Sequence, residues 1–386
     1  MNRIAIIFSE QKVILAFYVG VSILASFWQY AFGPVKYNHF LILRAGFEHL
    51  AEQQNLYLHY PGQYAGTYGY HPIVSILFAP FSFLSIATGM VLWLSIVSCI
   101  LFYSIKYLPI SPADKILFWW LILAELAISL NFQLHDPLLG ALGLLTLASF
   151  QRGRSRSAAL YPVLAGCLHP FGILFAALFV FYPNRRKYLF HLVIWALIMC
   201  IIPLYFTGID YFIRVYSDWA ISLLSALGPV ADAATRVRQS WVSSVNLWDL
   251  YAVAAFFFGL IWVTNLVRIA LIDRKRMLLL LAYCCIWISI LQNGPWTASN
   301  FLTSLALILS FLASKERPQP YLTAFSITLL LVTFSISLDV YVTDWLTDSE
   351  LLQLWPGIMV LFTLQFLLLS SKSENGFANQ MTSKKQ

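Results

Sequence analysis

The chain has 386 residues, of which 60% are hydrophobic and only 11% charged, and its mean hydropathy is +0.75. Soluble domains carry roughly 45–50% apolar and about 25% charged residues, so the composition excludes an ordinary globular domain and points to a bilayer as the solvent. The formal charge of +7 arises from short basic clusters between apolar runs. Topology accounts for such clusters, and no nucleic-acid partner is expected.

A spanning helix needs about 20 apolar residues, and ten stretches are expected to cross: 13–33, 88–105, 114–131, 134–150, 187–206, 249–272, 277–293, 299–315, 319–338 and 354–371. The first run, Val13 to Phe32, is long enough to span and has no small-residue cleavage site after it, so it reads as a retained anchor. With both termini cytoplasmic, the inner groups are Arg3 and Lys12, Lys106 and Lys115, Arg152/Arg154/Arg156, Arg185/Arg186/Lys187, Arg268 with Arg274/Lys275/Arg276, Lys315 and Arg317, and Lys372/Lys384/Lys385. Lys36, Arg44, Arg214, Arg236 and Arg238 fall outside, which is the charge asymmetry that short loops obey.

That division requires two further apolar segments not to cross. They are His71–Ala87, interrupted by Pro72 and Pro80, and Ser157–Tyr182, with Pro162 near its start and His169-Pro170 at its midpoint. Both are predicted to be re-entrant or in-plane, the second as two half-helices. Broken helices at membrane depth need protein or a water-filled cavity to satisfy the freed backbone groups, so a cavity is expected near His169. The predicted fold class is an all-α polytopic membrane protein, a single domain over residues 1–371 with a disordered tail, 372–386.

The predicted outer loops are 34–71, 131–136, 207–248, 293–300 and 339–353. Long ordered loops mark function. The first contains Lys36-Tyr37-Asn38-His39, a predicted interfacial helix Phe40–Gln53, and the aromatic run Tyr57, Tyr60, Tyr64, Tyr68, Tyr70, His71. Such rings suit a sugar face or a lipid headgroup, and equally a plain aromatic belt at the interface. Cys99, Cys167, Cys200, Cys284 and Cys285 all lie in apolar runs and read as packing residues. There is no phosphate-cradling glycine loop, no metal-ligand spacing, no Ser-His-Asp order and no expected cofactor.

Several short motifs carry a resemblance. Leu41-Ile42-Leu43-Arg44-Ala45-Gly46-Phe47, Asn55-Leu56-Tyr57, Tyr70-His71-Pro72-Ile73 and Phe78-Ala79-Pro80-Phe81 resemble the first external loop and following segment of glycosyltransferase family 87. Gln133 falls where that family has a Gln in an outer turn, Gln151-Arg152-Gly153-Arg154 looks like its basic cytoplasmic loop, His169-Pro170 falls where it has Lys-Pro, and Asn293-Gly294-Pro295-Trp296 lies near another outer turn. The resemblance covers roughly residues 15–315. It implies a GT-C fold in a bacterial inner membrane, taking a hexose, often mannose, from a polyprenyl-phosphate donor to a glycan or glycolipid acceptor, with membrane lipids as the other partner. A nucleotide-sugar donor is disfavoured.

That chemistry needs a base for the acceptor hydroxyl, cations or helix N-termini for the phosphate and an apolar groove for the prenyl tail. The family's base is an Asp whose matching position here is Asn38, which cannot accept the proton. Asp136, beside His135, is the leading replacement, because a carboxylate with an orienting imidazole makes a base pair; a helix cap ahead of Pro137 is the bland alternative. Glu48 on the first-loop helix is the second candidate. Tyr37, His39, Tyr70, His71, Gln133, His135, His169, Arg236, Arg238 and Trp296 are the expected substrate contacts; Arg236 and Arg238 suit phosphate or are solvated loop residues, and His169 suits phosphate when protonated or is a satisfied core residue. Glu125 sits inside an apolar run, where a carboxylate is costly and marks either function or a structural hydrogen bond. A catalytically inactive relative that binds lipid-linked sugar, and a transporter or flippase, remain open beside the transferase reading.

Overall fold

A computed structural model describes residues 6–181, 184–225, 274–292 and 300–314. These form α1 (Gln11–Phe32), α2 (Asn38–Ala51), α3 (Pro72–Ser82), α4 (Ile86–Tyr107), α5 (Pro112–Asn131), α6 (Asp136–Gln151), α7 (Ser155–Leu168), a 3-10 helix (Pro170–Phe181), α8 (Arg185–Thr207), α9 (Ile209–Ser225), α10 (Arg274–Gln292) and α11 (Phe301–Ser314). Strand-like pairing among the described residues is limited to the isolated bridge His59–Thr67. The expected spans 249–272, 319–338 and 354–371 and the tail lie outside the described residues.

Among the described residues three helices, α1, α4 and α8, are long and apolar enough to cross a membrane. α5 has 20 residues but carries Asp114, Lys115 and Glu125. α6 has 16 residues, about 24 Å at 1.5 Å per residue, short of the ~30 Å hydrocarbon core; α11 is described only as far as Ser314. The segment expected at 71–87 divides: α3 ends at Ser82, with Pro80 inside it, and α4 already starts at Ile86.

Local sequence fixes the helix starts. Ser85 accepts the Thr88 N–H, and Ser111, followed by Pro112, accepts the Asp114 N–H, the side-chain cap that satisfies an orphan donor. α1 buries Ile14, Tyr18, Ser22, Ala25, Ser26 and Gln29, one stripe at helical spacing, and turns Leu24, Phe27 and Trp28 outward. Along the buried stripe, Ser22 Oγ lies 2.7 Å from Ser98 Oγ on α4, and Tyr18 Oη donates to the Trp119 carbonyl on α5 at 2.9 Å. Small hydroxyls thereby join helices in a setting where hydrophobic contrast with the surroundings is weak. α6 is central: Leu139, Ala141, Leu144 and Leu147 are fully buried. A Cβ at its Gly143 would come within 2.7 Å of the Phe175 ring, so the 3-10 helix packs directly on the glycine backbone.

The 155–181 segment folds out and back. α7 runs to Leu168, the chain breaks at His169, and the 3-10 helix follows from Pro170. Gly172 sits against the Ala165 backbone at the bend, leaving no room for a side chain. Phe150 at the end of α6 meets Tyr188 at the start of α8, ring centroids 5.2 Å apart, so the hairpin begins and ends at one level. Two half-helices were expected here; the 3-10 form of the second, longer than such runs usually are, has no signal in the sequence.

The opposite end is organised by a ladder of side-chain amides. Gln29 Nε2 donates to the Leu130 carbonyl at 2.7 Å, Gln133 Nε2 to Gln29 Oε1 at 2.5 Å, and the Phe40 N–H to Gln133 Oε1 at 2.8 Å. Gln133 occupies the left-handed region at φ 54 because α5 ends in a Schellman turn, with Leu134 N–H on the Ser129 carbonyl and Gln133 N–H on the Leu130 carbonyl, both 3.0 Å. Glycine would be easier there, but only a long amide reaches both α1 and α2. Gln133→Ala should therefore unfold at lower temperature, by about 2 kcal/mol or more for the stranded Phe40 N–H and Gln29 Oε1. Thermal unfolding in detergent checks this, and an unchanged melting temperature would show the ladder to be dispensable.

Candidate functional site

The first loop reaches the bundle interior through its two ends. At its start, Asn38 grips the Ala65 backbone in both directions, Nδ2 donating to the carbonyl at 2.9 Å and Oδ1 accepting the N–H at 2.8 Å. At its finish, the His71 N–H donates to the Cys167 carbonyl at 3.1 Å, two residues before the helix break. Between them α2, expected as an interfacial helix, is packed into protein, burying Phe40, Ile42, Leu43, Ala45, Gly46, His49 and Leu50. Gly46 is in contact with the Tyr68 ring, which a Cβ would overlap.

These ties bring Tyr70, His135, Asp136 and His169 together. The His135 ring stacks on His169, centroids 5.6 Å apart and planes 13° apart, and Tyr70 stands edge-on to His135 at 6.0 Å. His135 Nε2 lies 4.0 Å from Asp136 Oδ1, with the two side chains 11% and 14% exposed. That separation exceeds a hydrogen bond; catalytic contacts often shorten only when substrate is present. His39 is within electrostatic reach of His135, and Tyr70 of Asp136. Tyr68, against Tyr70 at 5.4 Å and Tyr57 at 5.9 Å, extends an aromatic wall behind the carboxylate.

The bland reading of Asp136 as an N-cap does not match the geometry. His135 occupies the capping position, its carbonyl accepting the Leu139 N–H at 2.9 Å, with no side-chain cap, and Asp136 is the first helical residue. Its carboxylate stays near the positive end of the helix and remains partly open.

The other expected residues separate into groups. Glu48 pairs with Arg44 at 3.1 Å and is 47% exposed, a surface i,i+4 ion pair with no contact to the Asp136 cluster among the described residues. Gln133 is 6% exposed, and its amide is engaged in the ladder. Tyr37 stacks on Tyr30, centroids 6.1 Å apart, at the end of α1. Glu125 is 1% exposed, on the buried face of α5. Arg236, Arg238 and Trp296 lie outside the described residues.

A second polar junction was not foreseen. His71 Nδ1 accepts the Ile73 N–H at 3.2 Å, which places the proton on Nε2, 3.4 Å from Tyr216 Oη and 3.8 Å from Cys200 Sγ; Trp219 closes the ring edge at 4.8 Å. The signal was the strongly amphipathic 209–225 stretch, whose Tyr211 and Val215 are buried.

Burial lowers both His39 and His71 from the usual 6.5 to about 4. The unfolded chain titrates near 6.5, so as pH falls from there toward 4 the unfolded state takes up protons that the folded state refuses. Stability held above 6.5 is thereby lost on acidification. The melting temperature should fall over this window, and less steeply in His71→Asn, which keeps a capping side chain; equal slopes would assign the acid sensitivity elsewhere.

No family model, curated protein or solved structure matches this chain.

Proposed function

We propose that the chain is a membrane glycosyltransferase of the GT-C kind, moving a hexose, mannose first among candidates, from a polyprenyl-phosphate carrier to a hydroxyl of a glycan or glycolipid acceptor. In this reading the site faces the outer side of a bacterial inner membrane and both termini are cytoplasmic. The observation that supports it is the partly open Asp136 carboxylate, flanked by His135 and walled by Tyr70, at the junction of the first loop and the broken helix.

In this mechanism Asp136 takes the proton of the acceptor hydroxyl as that oxygen attacks the anomeric carbon. The bond from that carbon to the phosphate oxygen breaks, and the polyprenyl phosphate leaves with the bonding electron pair. His135 orients the carboxylate, and Tyr70, backed by the fully buried Tyr68, offers an apolar face to the sugar ring. His169 Nδ1 accepts the Phe171 N–H at 3.4 Å, so its Nε2 carries a proton and can donate to a phosphate oxygen.

A second reading, a relative that binds lipid-linked sugar without turnover, is favoured by Asn38. Its amide is fully engaged with Ala65, and Asp there would set a carboxylate oxygen against the Ala65 carbonyl.

Sugar transfer from radiolabelled polyprenyl-phosphate mannose, in membranes expressing each form, separates the readings. Wild type should transfer, Asp136→Asn should lose about 100-fold or more, the share typical of a general base, and Glu48→Gln should retain activity. Loss confined to Glu48→Gln would move the base to α2. A silent wild type that Asn38→Asp activates would establish a degenerate enzyme instead.

A further inference from the structure

From Pro137 to Ile209 the chain has no Asp or Glu and six basic residues, Arg152, Arg154, Arg156, Arg185, Arg186 and Lys187. They come from two places in sequence and one place in the fold. The Phe150–Tyr188 ring contact at 5.2 Å joins the segments that carry them, and Trp195 Nε1 donates to the Arg156 carbonyl at 3.0 Å. Arg152 is engaged at the surface, donating to the Tyr107 carbonyl at 2.8 Å and lying over the Tyr107 ring. All six are exposed, and the other five have no ion-pair partner among the described residues.

Below this patch runs an apolar stripe. Phe190, Val193, Leu197 and Ile201 on α8 are 63, 56, 54 and 55% exposed and follow each other at helical spacing on one face, with Arg186 four residues ahead of Phe190 on that face. Only 17% of the spanning window of α8 is buried, the least of the three candidate spans. From Phe190 to Ile201 the stripe is about 16 Å long, close to half the ~30 Å hydrocarbon thickness and so to the depth of one leaflet.

We propose that this face seats an anionic phospholipid, its headgroup against Arg154, Arg156, Arg185, Arg186 and Lys187 and an acyl chain along the α8 stripe. Cations that serve only to set topology would be solvated and indifferent to the lipid beside them. Clustered basic side chains at a membrane surface select anionic headgroups, and the stripe excludes a soluble phosphate as the intended occupant. The inference does not depend on the glycosyltransferase reading.

The full chain is reconstituted in nanodiscs of mixed phosphatidylglycerol and phosphatidylcholine, and the lipids it retains on release are counted by native mass spectrometry. Wild type should retain phosphatidylglycerol about tenfold over its bulk share, and the preference should fall as salt is raised. The triple variant Arg185→Gln/Arg186→Gln/Lys187→Gln should lose it, whereas Lys36→Gln, an exposed cation at the other end of the bundle, should keep it. No enrichment in wild type, enrichment untouched by salt or by the triple change, or equal loss in Lys36→Gln would each overturn the proposal. If the triple variant does not fold, Arg154→Gln/Arg156→Gln and the wild-type salt series decide by the same criteria.

Discussion

The described structure depends on a run of three amide hydrogen bonds, from the Leu130 carbonyl through Gln29 and Gln133 to the Phe40 N–H. Inside a weakly polar bundle, such groups hold position because water cannot substitute for a partner that moves away. The ladder sets α1 against the α5–α6 turn and hangs the first loop from the same point. His135 and Asp136 immediately follow that turn, and Tyr70 belongs to that loop. The spacing between carboxylate and aromatic wall is therefore fixed by residues that touch neither.

The contrast between Asp136 and Glu48 shows how two carboxylates of similar sequence prospects acquire different characters. Glu48 has a cation one helical turn away and open solvent beside it, where an ion pair contributes little. Asp136 sits at a helix start among imidazoles, with restricted access to water. A carboxylate largely removed from water, with imidazoles beside it, suits proton transfer better than structural pairing.

Much of the architecture was legible because it obeys local rules. Apolar run length revealed helices, and prolines at 162 and 170 revealed the hairpin. Asp136 before Pro137 looked like a cap, but the preceding Schellman turn shifted the helix start by one residue and placed His135 in that role. The stacking of His135 on His169, the grip of Asn38 on Ala65 and the junction at His71 were not legible. They join residues from 27 to 148 positions apart, where neither periodicity nor propensity carries information.

The out-and-back path of residues 155–181 has a consequence for how such a chain can change over generations. A segment that returns to its starting level contributes an even count of passages, so every helix after it keeps its direction whether the segment is present, lengthened or lost. A crossing helix has no such freedom, because removing one inverts all that follow. The hairpin is thus the part of the bundle where the lining next to the carboxylate can be rebuilt, His169 included, without disturbing the polarity of α8 or anything downstream of it.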